Sequence, residues 1–250
     1  MPPRYEVIGI DGIGEVRPGD DVGALVAGAA ARQGTPLLTG DLLVVGQKIV
    51  SKAEGRLVRL DAVTPSPVAT TMAGGLGRDP RLVEVILKES RRVVRMDRGI
   101  LITETHHGWI CANAGVDQSN VDADSVALLP EDPDRSARAL RERIRVLAGA
   151  EVAVLIADTF GRPWREGLTN VAIGVAGFTP LRSYLGERDP AGRPLQATIL
   201  ALADELAGAA EPVMGKLDRI PAAIVRGLTL PPGEEGSKPL LRDPARDLFR

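Results

Sequence analysis

Short apolar runs alternate along the chain with amphipathic segments, a pattern typical of a mixed α/β (α+β) protein. Val, Ile, Leu and Ala dominate five of these runs, which predict buried β-strands at residues 5–10, 42–50, 152–157, 171–175 and 222–225. Two further runs, at residues 99–103 and 109–112, predict a hairpin. Strands and helices follow no strict repeat, and the chain after residue 231 is rich in loops.

Apolar residues at helical spacing predict four helices, at residues 21–32, 80–93, 134–147 and 195–210. Asp20 or Asp21 is placed to cap the first helix, and Pro80 and Pro133 stand at the starts of the second and third. The fourth helix is mostly apolar and carries more hydrophobic surface than one amphipathic face usually shows. It is therefore expected to pack either inside the monomer or against a second subunit.

The organisation of the chain predicts one folding unit over residues 1–250. A chain of this length buries a sizeable core and can form one large domain or two small ones. It contains no internal repeat, no low-complexity segment and no clear linker. Two sub-domains remain an alternative, because no boundary between them can be located in the sequence.

Composition and charge reduce the number of function classes that the chain can belong to. The chain is 44% hydrophobic and 26% charged, with a formal net charge of -2, which favours neither a nucleic-acid nor a membrane partner. No apolar run approaches the roughly 20 residues of a membrane span, and the N-terminus lacks a signal-peptide core. The single cysteine, Cys111, excludes an internal disulfide and fits a reducing cytoplasm. Its expected role is that of a small buried residue, since no base partner for a nucleophile is evident.

The strongest chemical signal lies in residues 111–120, which combine small residues with one carboxylate and three carboxamides. Small residues let the backbone approach a ligand closely, Asp117 can bind a hard cation, and Asn120 can bind a polar edge. A second acidic element begins with Asp158-Thr159, directly after an apolar run. Two carboxylates at strand ends, one beside a hydroxyl, predict a Mg²⁺ site for phosphate chemistry.

Lysine usage gives a second signal. Only five of the 31 basic residues are Lys, and two of them, Lys48 and Lys52, lie in one short segment. Because Arg serves as the general cation of this chain, a retained Lys is a candidate for a compact charge on a phosphate. The alternative is chance placement on a solvated loop. The turn Asp11-Gly12-Ile13-Gly14 is a weak phosphate-loop signal, and no Walker-type P-loop or G-x-G-x-x-G fingerprint occurs.

Three other features have a functional and a structural interpretation. Adjacent strand side chains point to opposite faces, so His106-His107 is interpreted as a solvated turn rather than a metal site. Trp164 either stacks on a planar ligand or covers its own loop. Arg162 and Arg165 either clamp an anion or form surface salt bridges.

Four motifs in order along the chain, residues 48–56, 113–120, 158–167 and 214–227, resemble the coenzyme F420-0:γ-glutamyl ligase family. The similarity runs nearly end to end, from Asp11-Gly12 to Asp247-Leu248-Phe249. The chain looks especially like the ligase half of the two-domain actinobacterial enzyme. It stops where the flavin-binding, nitroreductase-like domain of that enzyme would begin, so the resemblance implies no flavin chemistry.

The resemblance implies a GTP-dependent ligase that adds L-glutamate to the lactyl carboxylate of F420-0, then further glutamates through γ-linkages. It implies Mg²⁺ or Mn²⁺, two ions per site, together with K⁺. The implied fold is a mixed α/β arrangement that forms an intertwined homodimer. The implied mechanism passes through an acyl phosphate made from the γ-phosphate of GTP.

By motif position, the resemblance assigns metal-binding roles to Asp117, Asp158 and Thr159, and catalytic roles to Lys52, Asp117 and Asp158. The positions that match nucleotide-binding residues are Asp11, Gly12, Ile13, Gly14, Gln47, Lys48, Lys52, Asn120, Met214, Gly215 and Lys216. Archaeal members carry a longer, Gly-rich and acidic loop after Met214, whereas Lys216 matches the actinobacterial type. Whether this loop supplies a metal ligand, and whether GTP is strictly preferred, stays open.

Two rival functions fit the same residues. One is another metal-dependent nucleotide enzyme, such as a kinase or an amide ligase that acts on a different acid. The other is a regulator that binds GTP without turnover. The presence of both carboxylates, Thr159 and both lysines favours an enzyme over a regulator.

Overall fold

The structure is a computed structural model that describes residues 2–120, 122 and 124–247. Leu248 and Phe249, included in the family resemblance, lie outside the described residues. The described chain has the mixed α/β organisation that the sequence predicts, with strands in several sheets and helices on their faces. Each helix in this part of the chain is too short or too polar to cross a lipid bilayer.

The described α-helices are α1 (Val22–Arg32), α2 (Gln47–Ala53), α3 (Pro67–Leu76), α4 (Pro80–Lys88), α5 (Pro133–Ala148) and α6 (Leu202–Met214). The described strands are β1 (Glu6–Gly9), β2 (Leu42–Gly46), β3 (Leu57–Arg59), β4 (Ser90–Asp97), β5 (Ile100–Thr105), β6 (Ile110–Ala112), β7 (Ser125–Ala127), β8 (Ala153–Arg162), β9 (Arg165–Ala176), β10 (Arg182–Ser183), β11 (Ile199–Leu200) and β12 (Ala222–Arg226).

The main sheet has the strand order β1-β12-β2-β8-β9, and only β2 and β8 run parallel. Both of its faces are covered. Alternate residues of β2 and β8, such as Leu43 and Ile156, face a core shared with α1 and α5, and their neighbours Leu42 and Leu155 face α6. Burial on both faces explains why these strands are continuous apolar runs that can be recognised in the sequence.

Residues 57–128 form a second packed region between α2 and α5. It contains the β4-β5-β6 sheet, the β3–β7 pair and helices α3 and α4 around their own apolar core. The predicted hairpin is confirmed as β5 and β6, and β4 extends it to three strands. Side chains of Ser66 and Asp79 cap α3 and α4, each followed by Pro at the first helical position.

Two predicted elements end earlier than expected. The strand predicted over residues 42–50 stops at Gly46, because Ile49 and Val50 are buried on one face of α2 and not on a pleated surface. The helix predicted over residues 80–93 stops at Lys88, because the following residues pair with β5 as strand β4.

The helix predicted over residues 195–210 is wrong in its first half. It begins at Leu202, and the preceding residues form an arm, residues 182–200, in which β10 pairs with β11. The apolar face of α6 packs on the main sheet of its own chain, through Ala203, Leu206 and Ala207. This helix belongs to the monomer core and gives no support to a dimer.

Candidate functional site

Topology brings two of the predicted motifs to one edge of the main sheet. Strands β2 and β8 are parallel, and Gly46, the last residue of β2, lies opposite Ala157, beyond which β8 continues to Arg162. The chain continues from Gly46 into α2 and from Ala157 into Asp158. Carboxyl ends of parallel strands are a common position for ligand sites. Lys48, in the first turn of α2, therefore lies near Asp158.

A tight turn after β6 delivers the second carboxylate to this edge. Asn113, Ala114 and Gly115 have φ of 54°, 54° and 71°, so three consecutive residues adopt left-handed conformations. A Cβ at Gly115 would lie 2.7 Å from Leu129 Cγ, which requires glycine there. The Arg78 guanidinium donates to Asn113 Oδ1 at 2.7 Å and holds the turn.

Lys48, Asp117 and Ser119 form a compact ion-pair network. The Lys48 ammonium lies 2.7 Å from Asp117 Oδ2 and 2.6 Å from Ser119 Oγ. The Ser119 backbone N–H donates to Asp117 Oδ1 at 2.7 Å, and its hydroxyl donates to Oδ2 at 3.0 Å. Burial raises the pKa of Asp117, but these hydrogen bonds and the Lys48 charge outweigh it and leave the pKa below its ordinary value. Asp117 is therefore held as a carboxylate.

Asp158 has the opposite environment. Burial raises its pKa to about 6, and the nearby Asp117 charge adds to the rise, against the Thr159 N–H and the charges of Lys216 and Lys48. None of the described Lys or Arg side chains lies within 4.0 Å of its carboxylate. Two carboxylates that interact electrostatically, one without a direct ionic partner in the described chain, form a site that attracts a cation.

Cys111 lies beneath this site and is buried, as the sequence predicts. Burial raises the pKa of its thiol to about 12, and the Asp158 charge contributes in the same direction. Because a thiolate is the reactive form, this cysteine is a packing residue and not a nucleophile.

Thr159 is held by two residues for which the sequence gave no functional prediction. Its hydroxyl donates to Asn170 Oδ1 at 2.8 Å, across the β8–β9 ladder, and Asn170 Nδ2 donates to Glu211 Oε2 at 2.8 Å. The Lys216 ammonium lies 3.5 Å from the same Thr159 oxygen. An Asn directly before the apolar run of residues 171–175 was the available signal, but its partner is visible only once the hairpin register is known.

The donor set fits a hard divalent cation. Asp117, Asp158 and Thr159 present only oxygen donors, and among the described residues no three His, Cys, Asp or Glu side chains converge on one point. Asp158 and Thr159 are consecutive in β8, so their side chains face opposite sides of the strand and fit two ions rather than one. Two carboxylates and a hydroxyl are too few for an all-protein cage. Mg²⁺ and Mn²⁺ commonly complete such a set with water and phosphate oxygens.

The histidine pair lies in a turn, as predicted, between β5 and β6. His106 is exposed, and its Nε2 lies 2.8 Å from the Lys88 carbonyl oxygen. His107 is partly buried and not simply solvated, with Nε2 2.9 Å from the Pro130 carbonyl oxygen. The two rings meet different backbone carbonyls, in line with the prediction that they do not share a metal.

Helix α2 links the site to the glycine-rich segment of residues 11–16. Lys52 lies one turn after Lys48, is only 8% exposed, and forms an ion pair with Glu15 of that segment. Gly12 and Gly14 have φ of 72° and 80°. Lys48 thus binds the Asp117 loop, whereas Lys52 binds the glycine-rich segment and has no described contact with either carboxylate.

Three residues predicted to bind nucleotide have buried side chains. Ile13 and Met214 are core residues, and Gln47 accepts a hydrogen bond from the Ser51 hydroxyl at 2.7 Å. Only their backbone groups can reach a ligand in this conformation. The role of these residues, like that of the exposed Asp11, stays a prediction.

The loop after α6 approaches the site through Lys216. Gly215 has φ of 61° and ψ of 174°, a backbone conformation essentially restricted to glycine, so glycine is required where the helix ends. Asn120, with φ of 56°, is exposed and follows the Ser119 that Lys48 binds. Asn120 is therefore adjacent in the chain to a residue of the site, and Lys216 lies close in space to Thr159.

The β8–β9 hairpin projects beyond the sheet, and its tip carries Arg162, Trp164 and Arg165. Trp164 is 78% exposed. Arg162 donates to the Glu166 carbonyl oxygen at 3.1 Å, and neither arginine forms an ion pair with a described carboxylate. The salt-bridged alternative for these arginines is therefore not found, and their role as an anion clamp stays a prediction.

Comparison with known proteins adds an independent line of support. The sequence model of the F420-0:Gamma-glutamyl ligase family matches residues 12–227, a range that contains Asp117, Asp158 and Thr159. A coenzyme F420:L-glutamate ligase from Methanopyrus kandleri is 50% identical over 241 residues, 94% of each chain. Proteins of the same name are 47% identical in Methanothermobacter thermautotrophicus, over 98% of each chain, and 38% identical in Archaeoglobus fulgidus, over 99% of this chain and 97% of its relative.

Proposed function

The chain belongs to the F420-0:γ-glutamyl ligase family, and from that premise we propose that it is a cytoplasmic GTP-dependent ligase that joins L-glutamate to F420-0 and then adds γ-linked glutamates. The names of its relatives support glutamate ligation in coenzyme F420 biosynthesis. The observation that carries the proposal is the ion pair of Lys48 with Asp117, close to the buried Asp158 at one sheet edge. Its partners are small molecules, namely F420-0, L-glutamate and GTP, and neither nucleic acid nor membrane.

The chemistry requires an activated acid. A carboxylate resists attack by an amine because oxide is a poor leaving group. Transfer of the γ-phosphate to the carboxylate of F420-0 gives an acyl phosphate, and attack by the glutamate amine then releases phosphate. The protein must align the two reactants and neutralise charge on the phosphoryl group.

The residues of the site are suited to these tasks. Bound Mg²⁺ or Mn²⁺ would supply Lewis-acid charge to the phosphate oxygens, and Asp117, Asp158 and Thr159 would hold the ions. Lys48 keeps Asp117 ionised and oriented, and its ammonium can turn to a phosphate oxygen when a cation takes its place. Lys216 adds a second positive charge beside Thr159. A K⁺ requirement remains part of the proposal, with no residue assigned to it.

One experiment separates the rival functions. The protein is incubated with F420-0, GTP, Mn²⁺ and L-glutamate, and the products are analysed by mass spectrometry and phosphate release. Ligation predicts glutamylated F420 and equal amounts of GDP and phosphate. A phosphorylated acid without an amide would indicate a kinase, and GTP binding without turnover would indicate a regulator. Either result would overturn the proposal, and replacing GTP by ATP tests the nucleotide preference.

Exposed apolar residues support a homodimer, which the family resemblance implies. On the arm, Leu185 and Ile199 are 50% and 48% exposed, and Leu168 near the hairpin tip is 66% exposed. Backbone hydrogen bonds of the arm, such as Tyr184 N–H to the Thr198 carbonyl, join its own two sides. Projecting segments with uncovered apolar side chains are typical of surfaces that pack on a partner.

Light scattering tests this assembly. We expect a dimeric mass at micromolar concentration that persists on dilution, because an intertwined interface is large and apolar. Ile199→Asp should shift the protein toward monomer, since it places a charge on the arm. Val68→Asp, at a 62% exposed apolar position of α3, is the matched control and should leave the mass unchanged. A monomeric wild-type protein with full ligase activity would contradict the dimer.

We expect Lys52→Ala to raise the KM for GTP about tenfold, a loss of about 1.4 kcal/mol of binding, and Lys88→Ala to leave it unchanged. Lys52 is buried and ties α2 to the glycine-rich segment, whereas Lys88 is exposed and makes only an i,i+4 pair with Glu84 at 3.6 Å. Steady-state kinetics at saturating Mg²⁺ measures the difference. Equal, small effects of the two substitutions would show that Lys52 does not contribute to nucleotide binding.

A further inference from the structure

Two consecutive hydrogen bonds connect Thr159 on β8 to helix α6. They form a chain that runs from the Thr159 hydroxyl on β8 to the Asn170 carboxamide on β9, and from there to the Glu211 carboxylate in the last turn of α6. Both links are 2.8 Å long. Asn170 is 5% exposed and lies directly opposite Thr159 in the hairpin register, so its side chain has little room to turn away.

The chemistry of the three groups fixes the direction of each bond. An ionised carboxylate only accepts hydrogen bonds, so Glu211 must face the NH₂ group of Asn170. The carbonyl oxygen of that amide must then face Thr159. Because Asn170 Oδ1 can only accept, the single hydroxyl proton of Thr159 is committed to it. The lone pairs of the Thr159 oxygen are left to point elsewhere.

The position of Lys216 shows where those lone pairs are directed. Its ammonium, which can only donate, lies 3.5 Å from the same Thr159 oxygen, and its charge is close enough to Asp158 to lower the pKa of that carboxyl. The Thr159 oxygen therefore presents a lone pair toward Lys216 and the loop after α6, next to Asp158 in the strand. Threonine is stiff at χ1, so a hydroxyl held from behind keeps this direction.

We propose that Asn170 and Glu211 are positioning residues, which hold the Thr159 hydroxyl with its proton turned away from the site so that its oxygen acts as a ligand for the divalent cation. The proposal rests on the proposed function and deepens it. Glu211 sets the orientation of the amide, and the amide sets the orientation of the hydroxyl. Because Glu211 lies on α6 directly before the Gly215-Lys216 loop, the same chain ties this loop to β8.

Three variants test the polarity of the chain. Glu211→Gln keeps the size of the side chain but can both donate and accept, so the Asn170 amide is free to reverse. Asn170→Leu removes the acceptor of the Thr159 proton and keeps every charge. The double variant Glu211→Gln/Asn170→Asp restores the original direction of both hydrogen bonds. The new amide at position 211 donates to the new carboxylate at position 170, which accepts the Thr159 proton, and the negative charge now lies on residue 170 instead of residue 211. Glu205→Gln, an exposed charge loss on the same helix, is the matched control.

The readout is Mn²⁺ binding, measured by electron paramagnetic resonance in the presence of a non-hydrolysable GTP analogue. Loss of an outer partner of a metal ligand typically weakens metal binding about 10- to 100-fold. We expect Glu211→Gln and Asn170→Leu to weaken binding by roughly tenfold or more, and Glu211→Gln/Asn170→Asp and Glu205→Gln to bind within about threefold of wild type. In turnover assays the KM for the metal–nucleotide should rise in the weak variants, and the KM for glutamate should not.

Several outcomes would overturn the proposal. Unchanged Mn²⁺ affinity in Glu211→Gln would do so, and so would failure of the double variant to recover it. If thermal unfolding shows that Asn170→Leu does not fold, the comparison of Glu211→Gln with Glu211→Gln/Asn170→Asp still tests the positioning role. Wild-type protein that binds Mn²⁺ but forms no glutamylated product would refute the proposed reaction. The Mn²⁺ affinities of the variants relative to wild type would still test the positioning role.

Discussion

Asp158→Asn is expected to abolish glutamate ligation and, at the same time, to raise the stability of the metal-free protein at pH 7. The first effect follows from loss of a charged cation ligand, which removes several kcal/mol of charge stabilisation at the phosphoryl group. Since about 1.4 kcal/mol corresponds to a factor of ten, turnover should fall by roughly 10³-fold or more. Asn keeps the size of the side chain and its acceptor oxygen, so the fold should persist.

The stability effect follows from the raised pKa of Asp158, which is about 6 in the folded protein against an ordinary value of 3.8. Between these two values the folded state binds more protons than the unfolded state, so the free energy of unfolding falls as pH rises. At pH 7 the ionised carboxylate therefore costs the metal-free fold on the order of 2–3 kcal/mol. Asn removes this cost, and the gain should disappear below about pH 4, where Asp158 is protonated in both states.

Thermal unfolding at pH 4 and pH 7 in the presence of a chelator, together with the ligation assay, measures both effects. Asp204→Asn is the matched control. Asp204 lies on α6, away from the site, and its carboxylate accepts a hydrogen bond from the Ala172 N–H at 2.9 Å. Burial raises the pKa of Asp204 as well. This variant should also gain stability at pH 7 but retain ligation. Near wild-type turnover of Asp158→Asn at ordinary Mg²⁺ concentration would remove Asp158 from the site.

The main sheet could be predicted because its strands are buried on both faces. Residues 152–157 and 222–225 are apolar without interruption, and the structure confirms them as parts of β8 and β12. The hairpin beyond Ala157 could not be predicted in the same way. Residues 161–168 at its tip are exposed and mostly polar, and their extended conformation comes from pairing across the hairpin rather than from an apolar pattern.

The helix predicted over residues 195–210 shows how local preference misleads. Leu195, Gln196 and Ala197 are good helix formers, yet the arm takes an extended path because Leu195 bonds to Glu187 and Ile199 pairs with Ser183. Helical spacing correctly indicated the second half of the segment, where α6 packs on the sheet. Long-range pairing decided the first half.

The site could be predicted residue by residue but not as a geometry. Asp117 and Asp158 each follow a strand-like run, and Lys48 was singled out by the scarcity of lysine. The contact between Lys48 and Ser119 spans 71 residues and arises only from the turn at Asn113–Gly115. Partners that act at such separations, Glu15 for Lys52 among them, leave no local pattern.

Asp117→Asn is expected to abolish ligation as well, but to lower stability at pH 7, the opposite of Asp158→Asn. The pKa of Asp117 lies below its ordinary value, because hydrogen bonds from Lys48 and Ser119 and the Lys48 charge outweigh the effect of burial. A depressed pKa means that the ionised form stabilises the folded state above the unfolded pKa, and that this contribution is lost as pH falls through the folded pKa. Asn removes it and leaves Lys48 without its ionic partner.

A loss on the order of 1–2 kcal/mol is expected at pH 7, the lower part of the range for a hydrogen bond to a charged group, because the Asp117 side chain is 34% exposed. The deficit relative to wild type should shrink below about pH 4, where wild-type Asp117 begins to lose its charge. A double-mutant cycle with Lys48→Ala tests the cause, since the two losses should be less than additive if they share one ion pair. Asp61→Asn, which removes an exposed pair with Arg59, is the surface control and should leave both stability and ligation nearly unchanged.

The opposite signs make the pair of substitutions informative. If both carboxylates were ordinary surface acids, Asn at either position would change little. If both were structural, both variants would lose stability. Retained ligation by Asp117→Asn, or a rise in its melting temperature at pH 7, would show that Lys48 does not hold Asp117 in the ionised, cation-binding form on which the proposed reaction depends.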